Sequence, residues 1–168
     1  MRMCEYSLQR RSCYDPLLDR IRCLCLVSCA RQWEVTMDRI ALPPAILIVD
    51  DDSDILALLN LFMHRLAPTH DIMTMRDAQS ALRHLAHRAV PLVITDYMMP
   101  GMNGLQLTAA VKAISPMTHV ILATAYGSAA LEQRAREQQV DTFLHKADLF
   151  DRLEDVVRNV LHLPSAQE

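Results

Sequence analysis

Six polar residues in this 168-residue chain stand where chemistry can be done. Asp50, Asp51 and Asp52 follow directly on the apolar run Ala45-Ile-Leu-Ile-Val49, and Asp96 follows Leu92-Val-Ile-Thr95. Thr124 closes the run that begins at Val120, and Lys146 follows Thr142-Phe-Leu-His145. Carboxylates gathered in one place repel, and a hard divalent cation with oxygen ligands, Mg2+ above all, relieves the repulsion. With a hydroxyl and an ammonium added, the set suits a phosphoryl group, whose oxygens the cations neutralise while the hydroxyl donates a hydrogen bond. One aspartate is then able to act as nucleophile and become an acyl phosphate. No glycine-rich loop of the kind that cradles a nucleotide occurs in the sequence, so ATP is not the expected phosphoryl source.

These residues act together only if the chain brings the ends of the apolar runs to one edge. The runs, Ala45–Val49, Ile72–Met75, Leu92–Thr95, Val120–Thr124 and Thr142–His145, are four or five residues long and mostly β-branched or aromatic, which predicts five strands. Between and after them, Ala78, Ala81, Leu82 and Leu85 recur at helical spacing, as do Leu149, Leu153, Val156 and Val160. Ile55–Leu66 and Gly104–Ile114 are apolar enough to pack on a sheet. A helix after each strand, with strands apolar nearly throughout, predicts an α/β fold: a doubly wound (βα)5 domain with a five-stranded parallel sheet and right-handed crossovers. Helix starts are expected at Ser53 or Asp54, Asp77, Ser128 and Asp148, whose side chains can cap free N–H groups. In such sheets the reactive site lies beyond the carboxyl ends of the strands, where the six polar residues fall.

The composition divides the chain. All five cysteines (Cys4, Cys13, Cys23, Cys25, Cys29) lie in the first 29 residues, and residues 1–36 carry net charge +2 against −5 for the remainder. A cysteine-free body needs no oxidising compartment, which points to the cytoplasm. The longest apolar stretch of the first segment, Cys23–Ala30, is too short for a membrane span, and Asp15, Asp19, Arg20 and Arg22 stand where the apolar region of a secretion signal should be. Overall net charge −3 removes the electrostatic footprint of a nucleic-acid binder. The reading is therefore an unstructured extension over 1–43, with Met37 as the expected initiator, a folded unit over 44–163, and a tail over 164–168 too short for an output domain.

At the chemistry-bearing residues the chain resembles the receiver domain of bacterial response regulators, of the CheY-like, flavodoxin-like class. The stretches that carry the resemblance are Ile46-Leu-Ile-Val-Asp-Asp-Asp-Ser53, Asp96-Tyr-Met-Met-Pro-Gly-Met-Asn-Gly104, Thr124-Ala125 and Phe143-Leu-His-Lys146. It implies that Asp96 is the phosphoacceptor and that Asp50, Asp51 and Asp96 hold Mg2+ together with the backbone carbonyl of Met98. It also implies that Thr124 and Lys146 bind the phosphoryl group, with Thr124 and Phe143 as the switch residues. The donor it implies is a phosphohistidine on a sensor histidine kinase or a histidine phosphotransfer protein. Acting alone, such a receiver would signal through a protein partner on the surface of the fourth helix, fifth strand and fifth helix, with neither nucleic acid nor membrane involved. The family usually has proline after the lysine; here Ala147 follows, so the loop is expected to be trans with a shifted path, or strained.

Other readings compete. Asp50-x-Asp52, Thr124 and Lys146 imitate the order of haloacid-dehalogenase-like phosphatases, but Asp54 stands where a hydroxyl residue is usual and Asp96–Gly104 is left unexplained. A receiver-shaped binding module that is never phosphorylated is the third alternative. Residue by residue, Asp52 and Asp54 read as solvated or capping groups, Asn103 and Gly104 as a helix start, Pro100 as a stiff loop element, Met98 and Met99 as loop hydrophobes, Phe143 as a filler of the sheet edge, and His84 and His87 as exposed.

Overall fold

A computed structural model describes residues 43–164. Residues 1–42 of the expected extension, with its cysteines and the Met37 start, and residues 165–168 of the tail lie outside the described residues. The strands are β1 (Ala45–Val49), β2 (Asp71–Met75), β3 (Leu92–Asp96), β4 (His119–Thr124) and β5 (Thr142–His145). The helices are α1 (Ser53–Leu66), α2 (Ala78–Leu85), α3 (Gly104–Ile114), α4 (Ala129–Glu137) and α5 (Leu149–Leu161). A one-turn 3-10 helix, Lys146–Asp148, leads into α5. All strand pairs are parallel and the order is β2-β1-β3-β4-β5, so the expected (βα)5 sheet is present.

Each central strand feeds two cores because successive side chains point to opposite faces. Ile46, Ile48, Ile94 and Leu144 pack under α1 and α5 with Leu59, Met63, Leu153 and Val157. Leu47, Val49, Val93 and Val120 pack under α2 and α3 with Ala81, Leu85, Leu107 and Val111. A third cluster joins Leu122 of β4 to Leu105, Leu131 and Ala135, with Phe143 against it. Burying each of these large aliphatic side chains contributes about 1.5–3 kcal/mol, which accounts for the rigidity of the frame that carries the site. The edge strands β2 and β5 are only partly buried.

Helix starts hold the loops at the carboxyl edge. Asp52 caps α1, accepting from the amides of Asp54 at 2.9 Å and Ile55 at 3.4 Å; Ser53 and Asp54, the expected caps, are already helical. The extended backbone at Asp52 (φ −83°, ψ 114°) allows its carboxylate to turn back onto the first turn. Asp77 and Ser128 cap α2 and α4 as expected. Asn103 begins α3 in a reciprocal box with Gln106, both bonds 3.0 Å. Asp148 stands at the start of α5 but makes no side-chain cap bond, because the preceding 3-10 turn runs directly into the helix.

Candidate functional site

The strand order reverses direction between β1 and β3, and in sheets of this kind the crevice beyond that switch point receives ligands. Asp50 and Asp51 leave the end of β1 and Asp96 ends β3, so both sides of the crevice are acidic. Carboxylate oxygens of Asp50, Asp51 and Asp96 lie within 4.8 Å of one another. Asp50 and Asp96 are buried, at 2% and 6% exposure, and Asp51 is half-buried. Lys146 crosses from the end of β5 and bridges the two buried carboxylates, Nζ standing 2.7 Å from Asp50 Oδ2 and 2.8 Å from Asp96 Oδ1.

Burial pushes the Asp50 carboxyl above its usual range and the charge of Asp96 adds to this, against the hydrogen bonds and charge of Lys146 and the amide of Asp52. Burial works the other way on the Lys146 ammonium, but its bonds to Asp50 and Asp96 and their charges outweigh that, and its pKa stands above the ordinary lysine value. One ammonium among three carboxylates leaves a negative surplus in oxygen-only surroundings, which suits a hard divalent cation of the Mg2+ type. The donor set thus fits the ion expected from the sequence.

The neighbouring backbone is built around the same point. The Met98 amide donates to Asp96 Oδ2 at 2.7 Å, while the Met98 side chain is exposed. Met99, by contrast, packs into the core beneath α2 and α3. Gly104 is required for closeness: a Cβ there would stand 2.2 Å from the carbonyl oxygen of Asp96 and 2.5 Å from Leu122 Cδ1. Asp52 points away from the cluster, its carboxylate committed to α1, which removes the second aspartate of the phosphatase-like Asp-x-Asp pattern. No peptide among the described residues is cis, so Lys146 reaches the carboxylates through a trans bond to Ala147.

Thr124 is fully buried, and its hydroxyl serves its own loop, donating to the Tyr126 carbonyl at 3.2 Å and accepting from the Tyr126 amide at 3.1 Å. Phe143 sits half-buried on the cluster formed by α3, α4 and β4, edge-on to His145 at 5.5 Å. His87 is exposed as expected, but His84 is half-buried and its Nε2 is buried without a hydrogen-bond partner. Two further features escape the reading of strand ends. Arg76, the residue after β2, donates to the carbonyl of Asp51 at 3.1 Å. Its signal was present, since it closes an apolar run at the same edge as Asp96 and Thr124. The ring of His145 fills the space that a side chain at Gly127 would need, its Cε1 only 1.7 Å from where a Cβ would lie.

The model of the family described as "Response regulator receiver domain" matches residues 46–158. The transcriptional regulatory protein GlrR of Escherichia coli (strain K12) is 34% identical over 119 residues, 71% of this chain and 26% of that protein. Sporulation initiation phosphotransferase F of Bacillus subtilis (strain 168) is 31% identical over 120 residues, 71% of this chain and 95% of that protein. A signal receiver domain from an HD domain-containing protein of Pseudomonas fluorescens Pf-5 has a similar structure, with TM-score 0.63 and 32% identity over 71% of this chain and 94% of the other. The chain spans about a quarter of the length of GlrR and nearly all of the sporulation protein. No helix among the described residues is long and apolar enough to cross a membrane. A parallel (βα)5 sheet whose switch-point edge gathers three carboxylates and a lysine, together with these matches, places the chain in the response regulator receiver domain family, the phosphoacceptors of two-component signalling.

Proposed function

We propose that Asp96 is the acceptor of this receiver and that it takes a phosphoryl group from the phosphohistidine of a sensor kinase or phosphotransfer protein. A carboxylate oxygen of Asp96 attacks phosphorus, the P–N bond of the donor breaks, and the imidazole leaves to take up a proton. The observation that carries this reading is the bridge from Lys146 to Asp50 and Asp96 beside a third carboxylate, all at the switch-point edge. Asp50, Asp51, Asp96 and the backbone carbonyl of Met98 would hold Mg2+. When bound, the ion neutralises charge on the phosphoryl oxygens and lowers the barrier to attack. Lys146, already drawn to Asp96, neutralises a second oxygen. Thr124 would exchange its bond to the Tyr126 carbonyl for one to the new phosphoryl group and draw the β4–α4 loop with it. Phe143, on β5 beside that loop, would then reorient and alter the surface of α4, β5 and α5 that a protein partner reads.

The unit carrying this activity is residues 44–163, and it works in the cytoplasm, where such donors reside. The test is incubation with Mg2+ and acetyl phosphate, followed by intact mass. The unmodified protein should gain one phosphoryl group and Asp96→Asn none. Labelling that persists unchanged in Asp96→Asn would remove the assignment, and no labelling of the unmodified protein would leave the binding-module alternative standing.

A further inference from the structure

Among the described residues Arg76 uses one of its donors, on the backbone of Asp51 at the carboxyl edge of the sheet. β2 ends beside the β1–α1 loop, where the Asp50 amide bonds to the Met75 carbonyl at 3.1 Å, and the next residue swings its guanidinium onto the Asp51 carbonyl. That single bond anchors an exposed side chain on the backbone of Asp51, whose carboxylate belongs to the cluster. Among the described residues Arg76 forms no ion pair, while Arg88, Arg136 and Arg158 each pair with a carboxylate. A guanidinium has five N–H donors in a planar fork that matches phosphate oxygens.

The charges at the site call for such a group. An incoming phosphoryl group of about two negative charges would join three carboxylates, against one divalent cation and the Lys146 ammonium. The loaded crevice would keep an excess of about two negative charges, which opposes entry of the donor. A further cation at the rim, tied to the backbone instead of to a carboxylate, offsets that opposition without neutralising the metal ligands. We infer that Arg76 is a donor-binding residue, offering its free N–H groups to the non-reacting oxygens of the phosphodonor as it enters. The inference rests on the reading of Asp96 as phosphoacceptor.

The test uses the full chain, acetyl phosphate and saturating Mg2+, and compares the second-order rate constant of phosphorylation in the unmodified protein, Arg76→Gln and Arg76→Lys. Arg76→Gln should lower it about tenfold, and Arg76→Lys, which keeps the charge and loses the fork, should recover about a third of the loss on a logarithmic scale. The Mg2+ dissociation constant, read by calorimetry, should be unchanged or tighter in Arg76→Gln, because a positive charge near the ion has been removed. An unchanged rate constant would overturn the inference. So would a weaker Mg2+ affinity in step with the slower rate, since Arg76 would then be only a prop for the Asp51 loop. No labelling of the unmodified protein would instead sink the phosphoacceptor reading itself.

Discussion

The two edges of the sheet use the same kinds of residues to opposite ends. At the amino edge of the strands Asp141 and Asp71 each have their own cation. Asp141 accepts from Lys112 at 2.6 Å and from the Val120 amide at 2.7 Å, and Lys112 also donates to the Thr118 carbonyl. Asp71 pairs with Arg88, which also donates to the Pro43 carbonyl, and His119 meets the Thr142 hydroxyl. At the carboxyl edge, among the described residues, three clustered carboxylates have a single ammonium beside them, and it pairs with two of the three. Charges matched one to one lock strands together, whereas charges left in surplus raise the energy of the empty site and make it receptive to a cation and a phosphoryl group. The difference lies in the count of partners at each edge and not in the residue types.

The largest effect expected from breaking this contrast is at the amino edge. Asp141→Ala strands the Lys112 ammonium, 10% exposed, and the Val120 amide, and should cost about 2–3 kcal/mol in urea unfolding while phosphorylation of the folded protein persists. A loss below about 0.5 kcal/mol would show that the amino edge is no lock.

Access to the carboxyl edge comes next. Met98 and Tyr126 are 62% and 78% exposed, and their backbones are bonded to Asp96 and to Thr124. Neither side chain has a carboxylate or amide to orient an attacking water, so slow loss of the phosphoryl group is expected. Met98→Asn combined with Tyr126→Glu should speed decay, followed after donor removal with Mg2+ retained, by roughly tenfold, or about 1.4 kcal/mol of barrier. Decay of the unmodified protein within seconds, or no gain in the double variant, would rule out control of water access by these two residues.

Neutralising the surplus should act with the opposite sign to Asp141→Ala. Asp50→Asn, without Mg2+ at pH 7, should raise the free energy of unfolding in urea slightly, by less than about 1 kcal/mol, because burial already disfavours the ionised Asp50. Mg2+ at ten times its dissociation constant should add about 1.4 kcal/mol to the unmodified protein and much less to the variant. A destabilised Asp50→Asn would mean that the carboxyl edge is as well matched as the other.

The smallest effects are in pH dependence, and the edges should pull in different directions. Burial holds the His119 imidazole below its usual pKa, with Asp141 opposing and Lys112 reinforcing. The unfolded chain therefore binds that proton more readily, and this contribution to stability is full above about pH 6.5 and is lost as pH falls toward the folded pKa. Asp50 is shifted up, so its contribution grows as pH falls through its folded pKa toward the ordinary carboxylate value near 3.8. His119→Gln should flatten the first slope, and saturating Mg2+ the second, in unfolding measured against pH.

Much of this molecule is legible in one dimension. β1 and β5 span the residues that their runs predict, and β1, buried at every position, is apolar throughout because it is covered on both faces. Asp77, Asn103 and Ser128 cap helices because a cap needs only its own next few amides, and the Asp96–Gly104 spacing carries its loop for the same local reason. The division of labour within Asp50-Asp51-Asp52 is of another kind. Three identical residues in a row are told apart only by the backbone turn at the end of β1, which buries the first, half-buries the second and spends the third on capping α1. Likewise the seat of the His145 ring on Gly127 and the bond from Arg76 to Asp51 depend on segments far apart in the chain. Lys146 meets Asp50 across 96 positions through a trans peptide that its Ala147 neighbour left open. Burial pattern and capping are local properties of residue type, so the sequence by itself determined the elements and the candidate residues. Side-chain direction at a sheet edge depends on the register and order of strands, and only the tertiary structure decided which carboxylates share the ammonium.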